Sequence, residues 1–121
     1  MPSKRILTVD DAKSVRGLVS RTLRQAGYEI AEAVDGADAL EKTADGIDLV
    51  ITDINMPGMG GLELITRLRQ REDTRFTPIL VLTTESQTDM RRQAVSAGAT
   101  GWIVKPFAPE VLLALVRRFL C

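Results

Sequence analysis

The sequence predicts an α/β domain in which a parallel sheet is covered by helices on both faces. Five short apolar or β-branched runs alternate strictly with five stretches of helical periodicity, and no linker or composition shift interrupts the 121 residues. The central run, Leu49-Val50-Ile51-Thr52, lacks polar alternation and reads as a strand buried on both faces. Strict strand–helix alternation makes successive strands parallel, with the helices as crossovers.

Arg5 to Asp10 is the first strand, and it ends in the pair Asp10-Asp11. Val15, Leu18, Val19, Leu23 and Ala26 then recur at helical spacing, with Gly27 as the stop. Tyr28 to Ala33 is a second strand, and Ala37, Leu40 and Thr43 mark a weak helix ending near Gly46. The third strand, Ile47 to Asp53, delivers a carboxylate into a turn containing Asn55, Pro57 and Gly58. Gly60-Gly61 opens a helix through Leu62, Ile65 and Leu68, expected to point Arg67, Arg69 and Arg71 outward. Pro78 to Thr83 is the fourth strand, followed by a helix from about Gln87 to Ala97 that Gly98 closes. Gly101 to Lys105 is the fifth strand, broken by Pro106. Val111, Leu112, Leu115, Val116 and Phe119 form the apolar face of the last helix.

Composition narrows the function. A chain of this length is one domain, residues 1–121, able to bury roughly two thirds of its unfolded surface. Sixteen basic and sixteen acidic side chains cancel, so no net field recruits nucleic acid or an anionic membrane. The apolar runs are too short to span a bilayer, and no signal-peptide pattern precedes the first strand. The single cysteine, Cys121, reads as a free thiol and suggests a cytoplasmic location. With no histidine in the chain, His-based triads, histidine metal sites and a histidine general base are excluded.

Ligands of such sheets bind beyond the carboxyl ends of the strands. Asp10, Asp11, Asp53, Thr83 and Lys105 all fall at that edge. Taken singly they are ordinary: an Asp after a strand is often a helix cap or turn former, Thr83 a strand terminus, Lys105 a solvated side chain. Together they are not. Three carboxylates in one place repel, so either some stay protonated or a cation sits among them. Oxygen ligands without His or Cys point to a hard divalent ion, with Mg2+ the default. Lys105 and the Thr83 hydroxyl suit phosphoryl oxygens, and the whole set suits phosphoryl transfer with Asp53 as nucleophile.

The set Asp10-Asp11, Asp53, Thr83 and Lys105-Pro106 resembles the receiver domain of bacterial response regulators, over essentially the whole chain. The resemblance implies a flavodoxin-like three-layer (βα)5 doubly wound parallel sheet with strand order 2-1-3-4-5. It implies that Asp53 accepts a phosphoryl group from a phosphohistidine on a sensor histidine kinase. It assigns Mg2+ to Asp11, Asp53 and the Asn55 backbone carbonyl, with Asp10 acting mainly through water, and gives the phosphoryl oxygens to Lys105 and Thr83. It also implies a cis Lys105-Pro106 bond. A target protein is expected to dock on the fourth helix, fifth strand and fifth helix, with no nucleic-acid contact and no membrane insertion. Asn55, Glu85 and the run Gly98 to Phe107 match the chemotaxis branch, whose phosphoryl group is short-lived. Trp102 stands where the family more often has Tyr or Phe, and Thr84 where it often has Ala; these bear on the switch and on access to Asp53. With no output domain in the sequence, a stand-alone receiver is expected, the alternative being a fragment of a longer transcriptional or enzymatic regulator.

Rival readings fit less well. An aspartyl-nucleophile phosphohydrolase of the haloacid-dehalogenase kind needs Asp-x-Asp after its first strand, whereas here Asp53-Ile54-Asn55 follows the third, and Asn is no proton donor. A flavodoxin would offer hydroxyls and glycine after the first strand, where this chain has two carboxylates. The glycines at 58, 60 and 61 follow the wrong strand for a P-loop and precede no Gly-Lys-Ser/Thr. The intact acid cluster argues against a binding module that is never phosphorylated.

Overall fold

A computed structural model of the chain describes residues 4–84 and 88–120. It contains five strands, β1 (Arg5–Val9), β2 (Glu29–Ala33), β3 (Leu49–Thr52), β4 (Ile79–Thr83) and β5 (Gly101–Val104). Five helices alternate with them: α1 (Lys13–Gln25), α2 (Gly36–Lys42), α3 (Gly61–Gln70), α4 (Thr88–Ala97) and α5 (Pro109–Phe119). The strands form one parallel sheet in the order β2-β1-β3-β4-β5.

Period-two alternation along each strand divides the core into two layers. Leu7, Val50, Ile79 and Val81 face one side, where they meet Leu64, Ile65 and Leu68 of α3 and Ala94 of α4. Ile6, Leu49, Ile51, Leu80 and Ile103 face the other, against Val19 and Leu23 of α1 and Leu112 and Val116 of α5. β3 is buried at every position, in keeping with its unbroken apolar run.

Local chemistry sets the helix ends. Asp35 caps α2 by accepting the Asp38 N–H at 2.8 Å, while the Asp38 carboxylate reaches back to the Val34 N–H at 3.0 Å. This reciprocal capping satisfies two otherwise orphaned donors. The weak second helix is indeed short: after Lys42 it tightens into a 3-10 turn, Thr43–Asp45, and stops at Gly46. α4 stops at Gly98, whose φ of 117° is a conformation that side chains rarely adopt.

Two expectations are corrected. Of the three arginines expected to point outward from α3, only Arg67 is plainly exposed. Arg69 turns back to donate to the Gly98 carbonyl at 2.9 and 3.0 Å and to the Thr74 carbonyl at 3.0 Å. Arg71 donates to the Leu40 carbonyl and the Thr43 hydroxyl. Carbonyls at helix ends lack intrahelical partners, and a long guanidinium stem can cover apolar surface while its head finds them. Val111, read as part of the apolar face of α5, is 55% exposed, because Leu112 and Val116 take the core positions.

Candidate functional site

The site lies where the strand order reverses, between β1 and β3. Val9 is opposite Thr52 in the register, so the next residues, Asp10 and Asp53, emerge side by side. The Asp53 N–H donates to the Val9 carbonyl at 3.0 Å, and the Asp10 N–H to the Ala33 carbonyl at 3.1 Å. The ladders therefore fix both backbones up to the acids themselves. Asp10 and Asp53 are buried, at 3% and 8% exposure, whereas Asp11 is exposed. Carboxylate oxygens of Asp10, Asp11 and Asp53 lie within 4.8 Å of one another.

Each buried carboxylate is oriented by its own turn. Asp10 Oδ1 accepts the Ala12 N–H at 2.9 Å, and Asp53 Oδ1 accepts the Ile54 N–H at 2.7 Å. The other oxygen of each faces the Lys105 ammonium, at 3.2 Å from Asp10 Oδ2 and 3.3 Å from Asp53 Oδ2. Lys105 is placed by its backbone N–H, which donates to the Thr83 carbonyl at 2.8 Å, and its bond to Pro106 is cis. Burial weakens the Lys105 ammonium, but the charges of Asp10 and Asp53 outweigh it and hold the pKa above the ordinary lysine value. Burial pushes the Asp10 carboxyl up, and the Ala12 N–H and Lys105 only partly oppose this.

Three carboxylates and one ammonium leave the cluster negative. Their oxygens converge without any His or Cys, a donor set that fits a hard divalent cation such as Mg2+. Among the described residues no other trio of potential metal ligands comes together.

The remaining predicted residues fall around this centre. Thr83 ends β4, wholly buried and opposite Val104 of β5. Thr84 is exposed and lines, with Val15, Leu18 and Phe107, a cleft of about 290 Å³ beside Lys105. Asn55 lies in the loop two residues past Asp53 with its side chain exposed. Trp102 of β5 is half-buried, packed against the core layer of α3 and α4 and lining a cleft with Phe107, Val111 and Leu115. Glu85 lies outside the described residues.

Two contributors escaped the sequence reading. A Cβ on Gly61 would come within 2.1 Å of the Asp53 carbonyl oxygen, so only glycine lets α3 begin against the acid's backbone. The adjacent glycines had signalled a helix start, not this contact. Arg16, one of several arginines on α1, donates from Nη1 to the Asp10 carbonyl at 2.7 Å. No local pattern in the sequence distinguishes it.

Comparison with known proteins agrees with this geometry. The response regulator receiver domain family matches residues 6–117. The chain belongs to that family. It is a receiver domain of two-component response regulators, the class of signalling switches. The chemotaxis protein CheY of Pseudomonas aeruginosa is 40% identical over 116 residues, covering 94% of this chain and 94% of that protein. The transcriptional regulatory protein PrrA of Mycobacterium tuberculosis is 40% identical over 119 residues, which are 98% of this chain. The chain spans only 50% of the length of that regulator. Among solved structures, the chemotaxis protein CheY4 of Vibrio cholerae superposes with a TM-score of 0.94 at 45% identity, covering 98% of this chain and 100% of that one. No helix among its described residues is long and apolar enough to cross a membrane.

Proposed function

We propose that this receiver is switched by Mg2+-dependent phosphorylation of Asp53. The observation that carries the reading is the meeting of three carboxylates with the Lys105 ammonium at the switch point of the sheet. Asp53 Oδ attacks the phosphorus of a phosphohistidine on a sensor histidine kinase. The new O–P bond forms as the P–N bond breaks, and the imidazole leaves with the electron pair and takes up a proton. Asp11, Asp53 and the Asn55 carbonyl would hold Mg2+, with Asp10 contributing through water, and the bound ion would supply positive charge to the phosphoryl oxygens. Lys105, already beside Asp53, pairs with a further phosphoryl oxygen, and the Thr83 hydroxyl takes another. The chain supplies position and charge and no separate general base. It is accordingly a signalling protein, catalysing only its own phosphoryl acceptance and hydrolysis.

The phosphorylated form docks to a target protein on the face of α4, β5 and α5, where the Trp102 cleft of about 620 Å³ lies. A chemotaxis or flagellar-motor target is supported by the near full-length match to the P. aeruginosa CheY and by Asn55 and Glu85. An output through a longer transcriptional regulator is the second reading, supported by the PrrA match. Neither role calls for nucleic-acid contact or membrane insertion by this domain, and both belong in the cytoplasm.

The test is a titration with a phosphoryl mimic, beryllofluoride, read by the fluorescence of Trp102, the only tryptophan. A saturable response that requires Mg2+ and vanishes in Asp53→Asn is expected. A response of equal size in Asp53→Asn would remove Asp53 from its role.

A further inference from the structure

We infer that Arg16 is a positioning residue for the acidic site, orienting the Asp10–Asp11 peptide so that both carboxylates meet a divalent cation. The inference rests on the proposal that the site holds Mg2+.

The Asp10 carbonyl belongs to the peptide unit that joins the two acids, so its direction sets where Asp11 begins. Arg16 Nη1 donates to that oxygen at 2.7 Å, while Arg16 Nε donates to Glu32 Oε1 at 3.0 Å. The N–H of Asp10 donates to Ala33, the residue after Glu32 on β2. The Asp10 backbone is thus gripped through both its polar groups, directly or by way of Arg16, by one short segment of β2. The Arg16 side chain is only 13% exposed, which limits its freedom. Lysine cannot copy this bridge, because a single ammonium lacks the rigid fork that reaches two acceptors in fixed directions. Asp11 needs the help more than its neighbour. Asp10 is also held by Ala12 and Lys105, whereas Asp11 is exposed.

Glu32 makes the role geometric. Its carboxylate pairs with Arg16 and lies 3.8 Å from Arg24 Nη2, so it offsets a cation that would otherwise oppose a metal close by. This gives the test a sign. By charge alone, deleting a cation beside a cation site tightens metal binding. Loss of a positioning contact loosens it, typically by tenfold or more for groups that orient metal ligands.

The experiment is calorimetric titration of the full chain with MgCl2, comparing wild type, Arg16→Met and Arg16→Lys, with folding checked by circular dichroism at the same temperature. Arg16→Met is expected to weaken Mg2+ binding about tenfold. Arg16→Lys keeps the charge and is the safeguard if the Met variant does not fold; it is expected to weaken binding by several-fold. A purely structural role would lower the melting temperature of the metal-free protein and leave Mg2+ affinity unchanged. Affinity equal to or tighter than wild type in the folded variants would overturn the inference while leaving the site intact. A wild-type protein that takes up no Mg2+ would overturn both.

Discussion

Replacing Lys105 with Met should be the most informative single perturbation of the metal-free receiver. Methionine retains much of the side chain's volume and removes the only cation paired, among the described residues, with Asp10 and Asp53, at 3.2 and 3.3 Å. At an effective dielectric of 20, each contact has a gross Coulomb energy of about 5 kcal/mol. Most of that is offset by desolvation of the ammonium, whose side chain is 12% exposed. Breaking one side of a buried pair costs about 3–5 kcal/mol. The lower end applies here, because Asp10 already has a raised pKa and can relieve the repulsion by taking up a proton. At about 4 °C per kcal/mol for a domain of this size, Lys105→Met should melt about 12 °C below wild type in EDTA at pH 7. Saturating Mg2+ stabilises both proteins by mass action and should recover much of the gap, because a site that has lost its ammonium binds a cation more tightly. The pH dependence has a definite sign. Lys105 has a raised pKa in the fold, so its contribution is complete below the ordinary lysine value and is lost as pH rises through the higher folded value. At the acid end the gap narrows as Asp10, whose pKa is raised, takes up a proton. Denaturation followed by circular dichroism, with EDTA or MgCl2, measures all of this. Melting temperatures within 2–3 °C of each other in EDTA, against the roughly 12 °C expected, would refute the view that Lys105 holds the empty site together.

Other outcomes follow from particular contacts. Gly61→Ala forces a Cβ against the Asp53 carbonyl and should cost at least about 2 kcal/mol in a denaturant titration, with weaker Mg2+ uptake. Asp38→Ala removes the contacts to the Val34 N–H and Lys42, at about 1 kcal/mol near neutrality. Burial disfavours the charged Asp38, but these contacts overcome it and lower its pKa, so the stabilisation is present above the ordinary value. The difference from wild type should therefore fade as pH drops through the folded pKa; a constant difference down to acid pH would assign the effect to uncharged packing and not to the carboxylate's charge. Thr83→Ala should keep Mg2+ binding and lose the Trp102 fluorescence change on adding beryllofluoride; an undiminished change would separate Trp102 from the hydroxyl.

The parts of the fold legible in the sequence were those set by local burial. Leu49 to Thr52 could be read as a doubly buried strand because no polar residue interrupts it, and all four positions are buried. Asp10, Asp53 and Lys105 could be placed at one edge because each ends an apolar run, and the structure brings them within hydrogen-bonding reach. The order of strands could not be read this way, since periodicity says which residues are buried and not which strands are neighbours; it came from resemblance. Long cationic side chains were the weakest point. Arg16, Arg69 and Arg71 look like solvated surface residues in sequence, yet each finds carbonyls on another element, distant by 6, 29 and 31 positions. Those carbonyls are backbone groups, which every residue carries, so this part of each contact leaves no complementary mark in the sequence. The close approach at Gly61 was hidden for a related reason: what it avoids is the carbonyl of Asp53, not a side chain.

The central claim is that Asp53 forms an acyl phosphate, and locating the modified residue tests it most directly. The receiver would be incubated with a small phosphodonor and Mg2+, reduced with borohydride to convert any aspartyl phosphate to homoserine, digested, and mapped by mass spectrometry. The account predicts conversion at Asp53 alone, absent when EDTA replaces Mg2+. Conversion at Asp10 or Asp11 instead, or a phosphoryl group on a hydroxyl that survives the reduction, would contradict it.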